Sequence, residues 1–109
     1  GAKVLAASVE IEDPKELIAV ADKVKGQLGE SAAVVLGWAG AEKVNLVAAV
    51  TPALVARGVH AGQVVKAAAQ VAGGGGGGRD TIAQAGGKDP AKLPEALQAA
   101  RDAIAAALA

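Results

Sequence analysis

Six consecutive glycines, Gly73 to Gly78, interrupt the chain and limit what can lie on either side of them. Each Gly in a helix costs about 1 kcal/mol relative to Ala, so the helical pattern that enters the run cannot continue through it. Ordered-looking sequence resumes at once in the apolar pair Ile82-Ala83, and too little chain follows to make another domain. At 109 residues the chain is read as a single domain.

Composition matters next because it limits the core. Alanine alone supplies 29 residues, the rest of the apolar set is Val, Leu, Ile and Trp38, and there is no Phe, Tyr or Met. Small side chains give little apolar area per residue but let backbones approach closely. The expected core is therefore thin, with helices set tightly on a sheet.

The apolar periodicity supplies the elements. Lys3 to Ile11 reads as a strand, with Val9 and Ile11 alternating against Glu10 and Glu12. Asp13-Pro14-Lys15-Glu16 combines an N-cap, a first-turn proline and an acidic residue at capping-box spacing. Leu17, Ile18, Ala21, Val24 and Leu28 then share one helical face, and Gly29 can close that helix. Ala32 to Leu36 is a continuous apolar run, as in a strand covered on both faces. Gly37 to Glu42 reads as a turn, and Lys43 to Val50 as a strand forming a hairpin with the one before. A short helix opens at Thr51-Pro52 and ends near Gly58. A second runs from Ala61 to Ala72, burying Val64, Val65, Ala68 and either Val71 or Ala72. Thr81 to Ala85 reads as a brief strand bounded by Gly86-Gly87, and Pro94 begins a last helix with Leu97, Ala100, Ile104 and Leu108 on one stripe. The order β-α-β-β-α-α-loop-β-α specifies an α/β fold, a mixed β-sheet packed against helices.

Charge is balanced overall but not locally. Residues 1–42 carry a net −3, residues 43–88 a net +4, and residues 89–109 a net −1. The basic segment holds Lys43, Arg57, Lys66, Arg79 and Lys88 against Asp80 alone, and it contains the glycine run. Zero total charge argues against a strong nonspecific binder of polyanions.

Three readings of the glycine run follow from its residues. A flexible linker is what composition suggests. A nucleotide loop is rejected: the G-x-G-x-x-G fingerprint follows a strand and opens a helix, the reverse of the order here. In a P-loop reading, Arg79-Asp80 would occupy the Lys-Ser/Thr positions, and Asp80 would repel phosphate. The third reading is a backbone nest, in which glycine permits close approach and successive N–H groups converge on an anion. Arg79 would add a planar, always-charged fork beside it.

Other candidates for chemistry are sparse. His60 is the single histidine and reads as a surface or capping residue, with no second His to form a metal pair. Ser8 and Ser31 have no expected base beside them. Glu10, Glu12, Asp13 and Glu16 cluster at a helix start, where capping and dipole complementation explain them. Trp38, the sole aromatic, reads as a partly buried anchor of its turn more than a base-stacking platform. With no cysteine there is no disulfide, thiolate metal site or thiol nucleophile, in keeping with a reducing compartment. No apolar run approaches the roughly 20 residues that span a bilayer. The start Gly1-Ala2-Lys3 lacks an initiator Met, as expected of a piece of a longer protein.

Taken whole, Gly73 to Pro90 reads GGGGGGRDTIAQAGGKDP. This resembles the glycine-rich signature of the DHHA1 domain at the C-terminus of alanyl-tRNA synthetases: a glycine stretch and Arg79, then Ile82, Ala83-Gln84 and the second glycine group Gly86-Gly87. Upstream, Lys43 to Ala48 with Val50-Thr51 is similar to the family's strand leading into a short helix, and Ala61-Gly62 with Val64-Val65-Lys66 to its next helix start. Asp80-Thr81 departs from the proline usual after the arginine, which lowers the local positive charge. DHH-family phosphoesterases carry a related domain with a histidine beside the glycines, absent here. Free-standing alanyl-tRNA editing proteins are the other relatives.

The resemblance implies a single DHHA1-like domain, residues 1–109, of a longer cytoplasmic alanine–tRNA ligase. It implies no catalysis by this fragment itself, no cofactor and no metal. Its expected partners are tRNA-Ala, at the outer corner where the D and T loops meet, and the other domains of the synthetase, with a homodimer as an alternative use. The expected RNA-binding set is Gly73, Gly74, Gly75, Gly76, Gly77, Gly78, Arg79, Gln84, Gly86 and Gly87, with Lys66, Lys88 and Arg57 nearby.

Overall fold

A computed structural model describes residues 3–9, 16–40 and 43–108. Their backbone forms five strands in one sheet: β1 (Lys3–Ser8), β2 (Ala32–Ala39), β3 (Val44–Val50), β4 (Gly75–Gly78) and β5 (Ile82–Gly87), in the spatial order β1-β2-β3-β5-β4. β1 and β2 are parallel and every other pairing is antiparallel, so the sheet is mixed as expected. Four helices accompany it: α1 (Glu16–Leu28), α2 (Pro52–Val55), α3 (Ala61–Val71) and α4 (Leu93–Leu108), the last preceded by a 3-10 turn at Pro90–Lys92.

Two apolar layers flank the sheet. On one face α1 sets Leu17 and Ala21 against Val34 and Leu36 of β2 and Val47 and Ala49 of β3. On the other, α3 and α4 bury Val64, Val65, Ala68, Ala69, Leu97, Ala100 and Ile104 against Val35, Leu46, Ala48 and Val50. β2 and β3 are thus covered on both sides, the environment that a continuous apolar run requires. At the end of α3, the capping residue Ala72 lies in the core and Val71 stays 36% exposed, which resolves that pair.

Buried backbone ends find partners. At the end of β3, Thr51 N–H donates to Ala32 O at 2.9 Å while Ala32 N–H donates to Thr51 Oγ1 at 3.0 Å. Thr51 is only 6% exposed, so its hydroxyl replaces a water that could not reach Ala32. Gly29, at φ +107°, and Gly58, at φ +98°, follow α1 and α2 in the left-handed conformation that helix ends favour. Arg101 of α4 reaches back to Ala6 O on β1, at 2.6 Å.

Three sequence expectations are corrected. The turn expected over Gly37 to Glu42 starts later, because β2 continues through Gly37 and Trp38 to Ala39. Gly37 is a strand residue, placed where a Cβ would strike the Leu93 side chain. The loop expected for the glycine run is largely a strand, β4, so the sheet has five strands and the run is neither linker nor nest. Gly86-Gly87 lie inside β5 and do not bound it. The expected β1 residues Glu10 and Ile11, the following Glu12 and the cap Asp13-Pro14-Lys15 lie outside the described residues, as do Ala41 and Glu42.

A candidate nucleic-acid interface on the glycine hairpin

Glycine has little intrinsic preference for strands, so the order of β4 needs an external cause. Tertiary pinning supplies it at both ends. At one end Gly74 N–H donates to Ala69 O (2.8 Å), and both Lys88 N–H and Asp89 N–H donate to Ala72 O (2.9 and 3.0 Å). At the other, three carbonyls of the β4–β5 turn accept from three different N–H groups: Arg79 O from Gly62, Asp80 O from Ala61, and Thr81 O from Val50. The hairpin is tied to the start and end of α3 and to the end of β3.

Those bonds also dispose of the α3 N-terminus as an anion site, since Ala61 and Gly62 N–H groups are already engaged by the turn. His60 occupies the N-cap position without a side-chain capping bond.

Arg79 N–H donates to Ile82 O at 3.0 Å, making that a hydrogen-bonded pair. Bonded and non-bonded pairs alternate along an antiparallel ladder. From the register, Gly77 and Gly75 therefore exchange bonds with Gln84 and Gly86, while the N–H and C=O groups of Gly76 and Gly78 point away from β5. Those of Gly78 face Gly62 of α3, where a Cβ would lie 3.0 Å from Gly78 O. In an extended strand successive amides face opposite ways, so no nest of converging N–H groups forms. Of the run, only Gly73 has positive φ, +77°.

The two faces of β4 differ in room. Gly76 and Gly78 pair with Ala85 and Ala83 on the α3 side. A Cβ at Gly76 would meet Ala85 Cα at 2.5 Å, one at Gly78 would meet Ala83 Cα at 2.9 Å, and one at Gly74 would overlap Gly86 O. On the α1 side, a Cβ at Gly75 or Gly77 meets nothing within 4 Å. Packing among the described residues explains glycine at 74, 76 and 78 but not at 75 and 77.

An open groove of about 360 Å³ runs between β4 and the first turns of α3, lined by His60, Gln63, Lys66, Gly76, Gly77, Gly78, Arg79 and Asp80. Arg79 and Lys66 are both exposed, and neither forms an ion pair among the described residues. The expected basic set is therefore divided. Lys66 and Arg79 meet at the glycine strand. Lys88 lies past the far end of β5, about 20 Å from Arg79 at the usual rise per strand residue. Arg57 belongs to the turn after α2, next to Gly58, which approaches Ala107 of α4, and it does not line the groove. Gln84 is exposed on the opposite face of the hairpin from α3, and Gly86 shares that face. Sequence reasoning missed Gln63 and Asp80 as groove residues, because only the folded hairpin brings α3 to them. It also missed Asn45, whose signal is a carboxamide inside the otherwise apolar strand β3.

Trp38 is half-buried, with its ring against Gly40: a Cβ on Gly40 would lie 3.0 Å from the Trp38 ring. That agrees with an anchor at the strand end. Among the described residues no cluster of His, Asp and Glu is arranged to hold a metal, and no helix is long and apolar enough to cross a membrane.

Comparison with known proteins gives concordant results. The DHHA1 domain family profile matches residues 1–106. The chain is 53% identical over 108 residues to an alanine–tRNA ligase of Bacillus velezensis, and 50% identical over 108 residues to that of Bacillus subtilis. Each alignment covers 99% of this chain but 12% of the relative, so the chain spans about an eighth of the length of these ligases. Among solved structures, the C-Ala domain of Aquifex aeolicus alanyl-tRNA synthetase superimposes with a TM-score of 0.82 at 33% identity, covering 92% of this chain and 89% of that one.

Proposed function

The chain belongs to the DHHA1 domain family, and from that premise we propose that it is a tRNA-binding accessory domain of an alanine–tRNA ligase, non-catalytic by itself. One observation carries the proposal. A side-chain-free strand edge, with the outward backbone groups of Gly76, is tied at both ends by backbone hydrogen bonds beside the exposed cations Lys66 and Arg79. A polyanion with a folded, irregular surface needs such a surface: no bulk in the way, donors at fixed positions, and charge alongside. Arg79 presents a planar fork that matches phosphate oxygens, and Lys66 a mobile ammonium nearby. Asp80 limits the net charge of the groove, in line with an interface that reads shape and phosphate position more than one relying on bulk attraction.

In this reading residues 1–109 form one domain of the longer synthetase, act in the cytoplasm, and hold the outer corner of tRNA-Ala while other domains of the same ligase aminoacylate and edit. Lys88, beyond the far end of the hairpin, suits a second phosphate on the same RNA, and Arg57, in the turn after α2, stands outside the groove.

The test is binding of a tRNA-Ala transcript to this chain over a salt series. The proposal expects affinity to fall linearly on logarithmic axes, and Arg79→Glu to weaken binding and flatten the slope by about one while the fold persists. Salt-independent or undetectable binding at low salt contradicts it.

A second reading, a module that docks another part of the synthetase or a second copy of itself, is favoured by a different region. On edge strand β1, Val4 is 42% and Leu5 36% exposed. Sedimentation across a dilution series distinguishes self-association, since a dimer dissociates on dilution.

A further inference from the structure

On the α1 side of the sheet one line of residues crosses four strands. The register pairs Trp38 with Asn45, Asn45 with Gly86, and Gly86 with Gly75. Asn45 is the polar member of this line, and its amide nitrogen is buried with no hydrogen-bond partner among the described residues. The large majority of buried polar groups in proteins are paired, so an orphaned amide calls for a specific cause. It adjoins a cavity of about 170 Å³ lined by Leu17, Ile18, Asn45, Val47 and Gln84 among others.

The way into that cavity is unobstructed because two positions outward from Asn45 are glycine. A Cβ at Gly86 would make only a tight contact with Val44 O, at 3.4 Å, and one at Gly75 would stand in open space. The adjacent line, Val47–Gln84–Gly77, likewise ends in a glycine with nothing within 4 Å. A shallow groove of Ile18, Gly77, Arg79, Ile82 and Gln84 continues from there toward the cationic end of the hairpin. A floor with almost no side chains thus leads from Arg79 to the two carboxamides, and it uses the two glycines, 75 and 77, that internal packing leaves unexplained.

We infer that this cavity receives the edge of an unpaired nucleobase, with the Asn45 amide donating to a ring nitrogen or carbonyl. Gln84 makes a second hydrogen bond from the rim, and Ile18 lies against the flat of the ring. Proteins read RNA sequence mainly through splayed, unstacked bases of this kind. The lining disfavours a phosphate, since among the described residues it contains no cation, and an aliphatic group, which would leave the amide unpaired. A volume of about 170 Å³ is small beside the roughly 300–1,000 Å³ of pockets that bury a whole drug-sized ligand. One ring edge fits that scale, with the sugar and phosphate outside toward Arg79.

This inference rests on the RNA-binding reading, and the experiment separates the two. Affinity for the tRNA-Ala transcript is measured for the unmodified chain, Asn45→Leu and Arg79→Glu at several salt concentrations. Asn45→Leu keeps the shape and removes the orphaned amide, so its urea midpoint is expected to equal or exceed that of the unmodified chain. Its affinity is expected to fall about tenfold with an unchanged salt slope, because a base contact is lost and no phosphate contact is. Arg79→Glu changes the slope instead. Equal affinity for Asn45→Leu and the unmodified chain means that the cavity holds only water, and it overturns the inference while leaving RNA binding intact. Failure of the unmodified chain to bind overturns both. Should Asn45→Leu not fold, the side-chain amide resonance of Asn45 in the unmodified chain decides: it must shift when the transcript is added, and an unmoved signal refutes the base contact.

Discussion

The centre of the sheet and its glycine edge are both β-structure, yet they are ordered by different means. In β2 and β3 the side chains do the work: Val34, Val35, Leu36, Leu46 and Val47 are no more than 2% exposed, sandwiched between α1 on one face and α3 and α4 on the other. In β4 there are no side chains to bury, and order comes from backbone bonds to β5 and from the ties to α3 at either end. The centre spends its surface on stability. The edge keeps its surface free, and its one concession to packing is the absence of methyl groups at 74, 76 and 78.

That contrast can be challenged by substitution. The largest effect is expected at the centre: Leu46→Ala removes a side chain that is 1% exposed and should cost about 2–5 kcal/mol of unfolding free energy in urea titration. A loss under about 1 kcal/mol would mean the central layer is not tightly packed. Next comes Thr51→Val, which strands the Ala32 N–H without its 3.0 Å partner. A buried donor left unpaired costs about 1–3 kcal/mol, measured in the same way. At the edge, Gly76→Ala forces a Cβ to within 2.5 Å of Ala85, and overpacking of that kind costs about 1–3 kcal/mol. Its neighbour is predicted to behave oppositely. Gly77 has open space and no positive φ, so Gly77→Ala should leave stability unchanged or raise it by up to about 1 kcal/mol through the unfolded chain. A matched pair of losses at 76 and 77 would show that the two faces of β4 are not distinct.

The same contrast explains what could be seen beforehand. The centre was legible because burial on two faces writes a continuous apolar run, Ala32 to Leu36, and α1 because Leu17, Ile18, Ala21, Val24 and Leu28 repeat at helical spacing. The family was legible from the glycines, Arg79 and the Ala83-Gln84-Gly86-Gly87 spacing, as the match over residues 1–106 bears out. The state of the glycine run was not. Glycine carries no pattern of faces, so nothing local distinguishes a linker, a nest and a strand; the deciding bonds join residues as distant as Ala61 and Asp80, or Val50 and Thr81. Gly37 misled for a related reason. It reads as a turn signal, whereas the fold uses it to admit Leu93. The grouping of Lys66 with Arg79, and the separation of both from Arg57 and Lys88, likewise follow from how α3 lies along the hairpin. The orphaned amide of Asn45 is visible only once β5 is placed beside β3.

An RNA-binding role for the glycine edge requires that this edge, and not another surface, meet the transcript. Mapping backbone amide resonances of the chain while adding a tRNA-Ala transcript tests it most directly. Gly75 to Arg79 and Lys66 are expected to shift first and furthest. Shifts centred instead on Val4 and Leu5 of β1, with Gly75 to Arg79 unmoved, would contradict it.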